Sequence, residues 1–168
     1  MYQKVKQDYI NRVVWHNRNV ADLMMLLEMN RDKLPFDIPE WELMRRGLQH
    51  DLDKFETNYA NVIVSLYVDN ITDEEEIKKR HANCHDHHLI NPHHIKYHVV
   101  NNIPFSDLDI CEMACDAVSS TRKPRFKKYR EYPTFLEGFK HWDLDPILEE
   151  HREKLAIIYE FFDSLHLT

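Results

Sequence analysis

The pattern of apolar positions along the chain is helical almost throughout. From Val5 to Leu27 the residues Val5, Tyr9, Val13, Val20, Leu23, Met24 and Leu27 recur at multiples of three and four, the spacing that lines one face of an amphipathic helix. His16 falls on that stripe. Prolines between Leu34 and Pro39 break the pattern, and helical spacing resumes from Glu40 to Gln49 through Trp41, Leu43, Met44 and Leu48, ending at His50-Asp51. A third helix is expected over Thr57 to Val68, where the Val62-Ile63-Val64 run also fits a strand.

Thr72 with Glu75 three residues on has the form of a capping box, in which side chain and backbone satisfy each other's exposed N–H groups. It predicts a polar helix running into the histidine tract from His81 to His88. Asn91-Pro92 interrupts that helix, and a short one follows His93-His94 as far as Val100. Ser106 with Asp109 makes a second box-like start, for a helix ending near Ser120. Pro124 and Pro133 bracket a basic loop, and a last helix is expected from Asp145 to Leu165 with Ile147, Leu148, Leu155, Ile158, Phe161, Phe162 and Leu165 inward. The expected architecture is all-α, a single domain of six or more helices over residues 1–168.

Composition narrows the function classes. A chain of 168 residues suits one core and one site. Three cysteines, an odd number, point to a reducing, cytoplasmic setting rather than a disulfide framework. No apolar run approaches the roughly 20 residues that span a bilayer, so no membrane association is expected. With only Gly47 and Gly138, a glycine-rich phosphate loop or dinucleotide fingerprint is excluded. What stands out is twelve histidines in a chain of formal charge −7. Against that acidity, Arg122, Lys123, Arg125, Lys127, Lys128 and Arg130 form a basic segment with no acid among them.

Three places set metal-ligand residue types where burial is expected: His16 in its apolar stripe, His50-Asp51 at a helix end, and Asp116 within Met113-Ala114-Cys115-Asp116-Ala117-Val118. A buried carboxylate needs a partner, and a cation supplies one. Neighbouring residues inside a helix point about 100° apart, so His50 and Asp51 share an ion most easily where the backbone turns. Taken singly, His16 reads as a hydrogen-bonded core histidine and Asp116 as an ion-pair partner; their order together is what favours a site. Cys111 and Cys115 read as packed thiols. Glu112 reads equally as a surface residue or as a group behind the ligands. Trp15, Trp41 and Trp142 read as core or pocket wall.

The order His16, His50-Asp51, Asp116 resembles the HD-domain superfamily of metal-dependent phosphohydrolases, and the likeness is most specific at His50-Asp51-Leu52-Asp53-Lys54. It covers about the first 120 residues. The motifs His50-Asp51-Leu52-Asp53-Lys54-Phe55 and Asn91-Pro92-His93-His94 are also similar to a phage-associated HD-like family of unknown function. The resemblance implies an HD-like bundle in which His16, His50, Asp51 and Asp116 hold a first metal. It further implies a second, held by Asp51 with two of His81, His85, His87, His88, His93, His94 and His98. His87 and His93 are preferred, with His94 and His88 as substitutes.

Nitrogen and oxygen ligands without thiolate suit manganese, iron, cobalt, nickel or zinc. One or two such ions would activate a water for attack on a nucleotide or another small phosphate ester. In that reading Asp51 and Lys54 are catalytic, and Lys54, His94, Arg122 and Lys123 bind substrate. Two rivals are an HD-like di-iron oxygenase and a non-enzymatic protein whose basic loop, residues 122–130, binds nucleic acid. A homodimer is compatible with an acidic chain carrying one basic loop.

Overall fold

The computed structural model describes residues 2–82, 84–121, 134–140, 149 and 151–165. The described residues form nine α-helices and no strand: α1 Tyr2–Met29, α2 Glu42–Gln49, α3 Thr57–Val68, α4 Glu74–His81, α5 His87–Ile90, α6 Ile95–Asn101, α7 Asp107–Thr121, α8 Phe135–Lys140 and α9 Arg152–Ser164. Two 3-10 turns intervene, Arg31–Lys33 and Leu52–Phe55. The fold is all-α, and no described helix is long and apolar enough to cross a membrane.

Helix α1 is the axis of the core. Its inner face carries Val20, Leu23, Met24 and Leu27, which pack with Leu43 of α2, Ile110, Ala114 and Val118 of α7, and Leu155, Ile158 and Phe162 of α9. Toward its N-terminus the same face packs Tyr9 and Val13 against Val64 of α3. Helix α2 lies against α1 through a glycine: a Cβ added at Gly47 would stand 2.7 Å from Met24 Cβ and 3.1 Å from Ala21 Cα. The inner face of α2 is therefore Leu43 and Gly47, while Trp41 and Leu48, placed on it by spacing, are exposed. Trp15 is exposed as well. Spacing alone cannot reveal that the closest approach of two helices is made by the residue without a side chain.

Two further boundaries differ from the sequence expectation. The start of α4 is capped by Asp73, whose carboxylate accepts from Glu76 N at 2.9 Å. Asp73 and Glu76 have the same three-residue spacing as Thr72 and Glu75, and the carboxylate wins as the stronger acceptor. Helix α4 then stops at His81 instead of running through the histidine tract. A separate helix starts at His87, where the Asp86 carboxylate accepts from His88 N. The Ser106–Asp109 box is as expected: Ser106 N donates to Asp109 Oδ2 at 2.9 Å and Asp109 N donates to Ser106 Oγ at 3.2 Å. The basic segment Arg122 to Arg130, the prolines at 124 and 133, Trp142, and the expected start of the last helix with Ile147 and Leu148 lie outside the described residues.

Candidate metal centre

The local backbone makes His50 and Asp51 converge. His50 caps the C-terminus of α2, and Asp51 takes the left-handed conformation, with φ 53° and ψ 26°, before the 3-10 turn Leu52–Phe55. Aspartate is among the few non-glycine residues that tolerate that region. The reversal turns the Asp51 carboxylate back toward α1 and across to the segment carrying α5 and α6. His16 comes from α1, His50 from the end of α2, His87 from α5, His93 and His94 from the α5–α6 connection, and Asp116 from α7.

Asp51 is the middle of the cluster, with each oxygen facing a different pair of histidines. Its Oδ2 lies 3.3 Å from His50 Nε2 and 3.7 Å from His16 Nε2, and it also pairs with Lys54 Nζ. Its Oδ1 lies 3.1 Å from His87 Nε2 and 3.3 Å from His93 Nε2. Asp116 Oδ1 closes the first side, 2.9 Å from His16 Nε2 and 3.9 Å from His50 Nε2. His94 Nε2 joins the second side, 2.9 Å from His87 Nε2. His88, the other substitute, is well exposed and faces Asp86.

The four buried histidines of the cluster present Nε2 inward and Nδ1 outward, whereas the fifth buried histidine, His98, turns both ring nitrogens to the backbone carbonyls of Ile103 and Pro92. The outward atoms meet Ser119 Oγ at 3.0 Å for His16, Glu112 Oε1 at 3.0 Å for His50, Asp53 Oδ2 at 2.8 Å for His87 and Glu112 Oε1 at 3.3 Å for His93. For His16, His50 and His87 an acceptor at Nδ1 holds its proton there and leaves the Nε2 lone pair for a cation, the arrangement that ligating histidines use, while His93 Nδ1 lies beside Glu112 without an aligned hydrogen bond. Asp53 also accepts from His85 Nε2 at 2.9 Å and from Asn91 Nδ2 at 3.1 Å. Asn17 Nδ2 donates to the His50 carbonyl at 2.7 Å, tying α1 to the end of α2.

The spacing fits an ion. Ligand atoms about 2.1 Å from a metal stand about 3.0 Å apart on an octahedral edge and about 3.4 Å apart on a tetrahedral one. The Nε2 pairs of His16–His50 and His87–His94 lie at 3.3 and 2.9 Å, close to those edges. Two facing imidazole nitrogens, each with a lone pair, repel unless a proton or a cation sits between them. Asp51 Oδ1 and both ring nitrogens of His93 are buried with no hydrogen-bond partner among the described residues. Such atoms are costly in a protein interior unless an ion or water satisfies them. These buried His/Asp clusters can hold a metal ion.

The electrostatics are equally one-sided. Burial opposes the charge of Asp51, yet the surrounding His50, His87 and His93 hold its carboxyl far below the usual range. Glu112 is likewise pulled down to about 2, against its burial, by His50 and His93. Burial opposes the charge of His93 too, but Asp51 and Glu112 raise it to about 10. His94 goes the other way, to about 3, through burial and then the charge of His93 and His87. Its ring is therefore neutral and its lone pair available.

The structure gathers His16, His50, Asp51, Asp116, His87, His93 and His94 at one place, with Lys54 beside them. Arg122 and Lys123 lie outside the described residues. Cys111 and Cys115 are fully buried in the core and belong to none of the His/Asp/Glu clusters among the described residues. The residues that sequence spacing undervalues are Glu112 and Asp53, which stand behind the histidines. The family model of a family of unknown function, DUF5662, matches residues 5–163. No curated protein and no solved structure matches the chain.

Proposed function

Because the chain belongs to the DUF5662 family, whose function is unknown, its activity has to be argued from its own geometry, and we propose that it is a metal-dependent phosphohydrolase with a dinuclear centre. The observation that carries this reading is the carboxylate of Asp51, whose two oxygens each face a separate pair of imidazole Nε2 atoms. A bridging carboxylate between two nitrogen-rich half-sites is suited to a pair of divalent transition-metal ions. In this reading His16, His50, Asp51 and Asp116 hold one ion, and Asp51, His87 and His93, with His94 in reach, hold the other. The ions would supply a water acidic enough to react near neutral pH and positive charge for phosphoryl oxygens.

The chain's own residues do the rest. His16, His50, Asp51, His87 and His93 are closed off from solvent, whereas the side chains of Asp116 and Lys54 are 27% and 23% exposed. The accessible edge, and hence the substrate side, is formed by Asp116, Lys54 and the partly exposed His94. Lys54 brings an ammonium there and binds phosphoryl oxygens of a nucleotide or another small phosphate ester. Its backbone is pinned by the Tyr9 hydroxyl, which donates to the Lys54 carbonyl at 2.9 Å.

The test is release of inorganic phosphate from nucleotides and simple phosphate monoesters by protein reconstituted with manganese, cobalt, zinc or iron. Wild type should turn over at least one class and Asp51→Asn none. No turnover by metal-loaded wild type refutes the hydrolase reading. Iron with a near-ultraviolet chromophore would then favour a di-iron oxygenase on the same ligands.

A further inference from the structure

Behind the metal centre lies a third cluster of ligand-type atoms, formed by His50, His93 and Glu112, all buried. Two observations speak against an ion there. Arg46 Nη1 sits 3.1 Å from Glu112 Oε2, so a cation already occupies the outer face of that carboxylate. His50 and His93 meet Glu112 through Nδ1 while their Nε2 atoms face Asp51. A neutral imidazole has one lone pair and one N–H, and cannot ligate at both nitrogens.

We infer that Glu112 is a positioning residue shared by both half-sites, one carboxylate oxygen orienting one histidine from each. This rests on the dinuclear reading of the Asp51 cluster and deepens it. The geometry is specific: Glu112 Oε1 is 3.0 Å from His50 Nδ1 and 3.3 Å from His93 Nδ1. The first contact is a hydrogen bond, and the second falls short of hydrogen-bond alignment. His50 faces Asp51 Oδ2 and His93 faces Asp51 Oδ1, so the two rings serve opposite sides.

Glu112 is itself fixed from behind. Arg46 bridges it to Asp109, with Nη2 3.0 Å from Asp109 Oδ1, and Asp109 belongs to the Ser106–Asp109 box at the start of α7. The outer nitrogens of His16 and His87 have acceptors that each serve one side of the bridge, Ser119 and Asp53. Only Glu112 serves both sides of the bridge among the described residues. The two half-sites are thus joined twice, inside by Asp51 and outside by Glu112, and loss of Glu112 should weaken both ions together.

The experiment measures zinc binding by calorimetry on wild type and on Glu112→Gln, with circular dichroism on the ion-free proteins. Wild type should take up two zinc ions. Glu112→Gln should keep its helical spectrum and bind both ions about 10- to 100-fold more weakly, the usual cost of losing a carboxylate behind a ligating histidine. Unchanged affinity, or a loss confined to one ion, overturns the shared role while leaving the metal centre standing. Wild type that takes up no zinc, manganese, cobalt or iron overturns the metal reading and this inference with it. If Glu112→Gln does not fold, long-range proton–nitrogen NMR of zinc-loaded wild type decides the matter. His50 and His93 with Nδ1 protonated and Nε2 metal-bound support the inference, and either ring ligating through Nδ1 overturns it.

Discussion

Replacing Gly47 with valine should damage the fold and the metal centre together. At the helix crossing the first atom added at Gly47 would meet Met24 Cβ at 2.7 Å and Ala21 Cα at 3.1 Å. Carbon atoms rest about 3.5–4.0 Å apart, so α1 and α2 would have to part by about 1 Å. Neither obstructing atom is the free end of a side chain, so the strain cannot be shed by a rotamer change. Overpacking of this kind costs roughly 1–3 kcal/mol, and the two further methyl groups of valine put it near the upper end. For a chain of this length that is a fall in melting temperature of about 6–12 °C.

Alanine at the same position should do less, because its better helix propensity offsets about 1 kcal/mol. The centre suffers because His50 stands three residues after Gly47 and is tied to α1 by Asn17. Parting the helices opens the 3.3 Å separation of His16 and His50 Nε2 beyond what one ion spans. Thermal melting of ion-free protein and calorimetric zinc titration would read the two effects. Gly47→Val that melts at the wild-type temperature and binds zinc with wild-type affinity would show that neither the crossing nor the centre depends on the close approach at Gly47.

Three further predictions concern the site. Lys54→Met should keep its ions and lose phosphate-ester turnover; loss of metal content would place Lys54 in the binding of the centre instead. Ser119→Ala removes the acceptor behind His16 and should weaken one ion about 10-fold while sparing the other, which two-site titration resolves; a loss on both sides would contradict the division of the cluster. His93 is raised to about 10 because, against its burial, Asp51 and Glu112 attract its proton. The stability this gives the ion-free protein is full below about pH 6.5, the ordinary histidine value, and is lost as pH rises through about 10. A bound cation displaces that proton, so binding should release protons and strengthen with pH. The melting-temperature gap between ion-loaded and ion-free protein should widen from about pH 6 to about pH 9, and a constant gap would refute the coupling.

What the chain reveals in one dimension divides along a physical line. Elements set by local chemistry were legible: the long apolar stripe of α1, the span of α3, and the Ser106–Asp109 cap all follow from neighbours within a turn or two. The gathering of His16, His50, Asp51 and Asp116 was legible because each carries a polar group into an apolar stretch or sits where a helix ends. Glu112 was not, because its meaning depends on His50 sixty-two residues away and on Arg46, and nothing within α7 separates it from a surface glutamate. That His87 and not His88 faces the centre rests on where α5 begins. A continuous helix from Thr72 onward would have turned the tract differently, and the Asp86 cap resets its phase.

The left-handed backbone at Asp51 narrows what substitution can do there. Glutamate would restore the carboxylate but carries a longer side chain into a conformation that costs most residues about 1 kcal/mol or more. Asparagine would accept the turn and remove the charge that draws four imidazoles together. Glycine would take the backbone angle with no strain and offer no oxygen at all. Shape and charge are therefore demanded by independent causes at a single position, and of the twenty side chains only aspartate meets both.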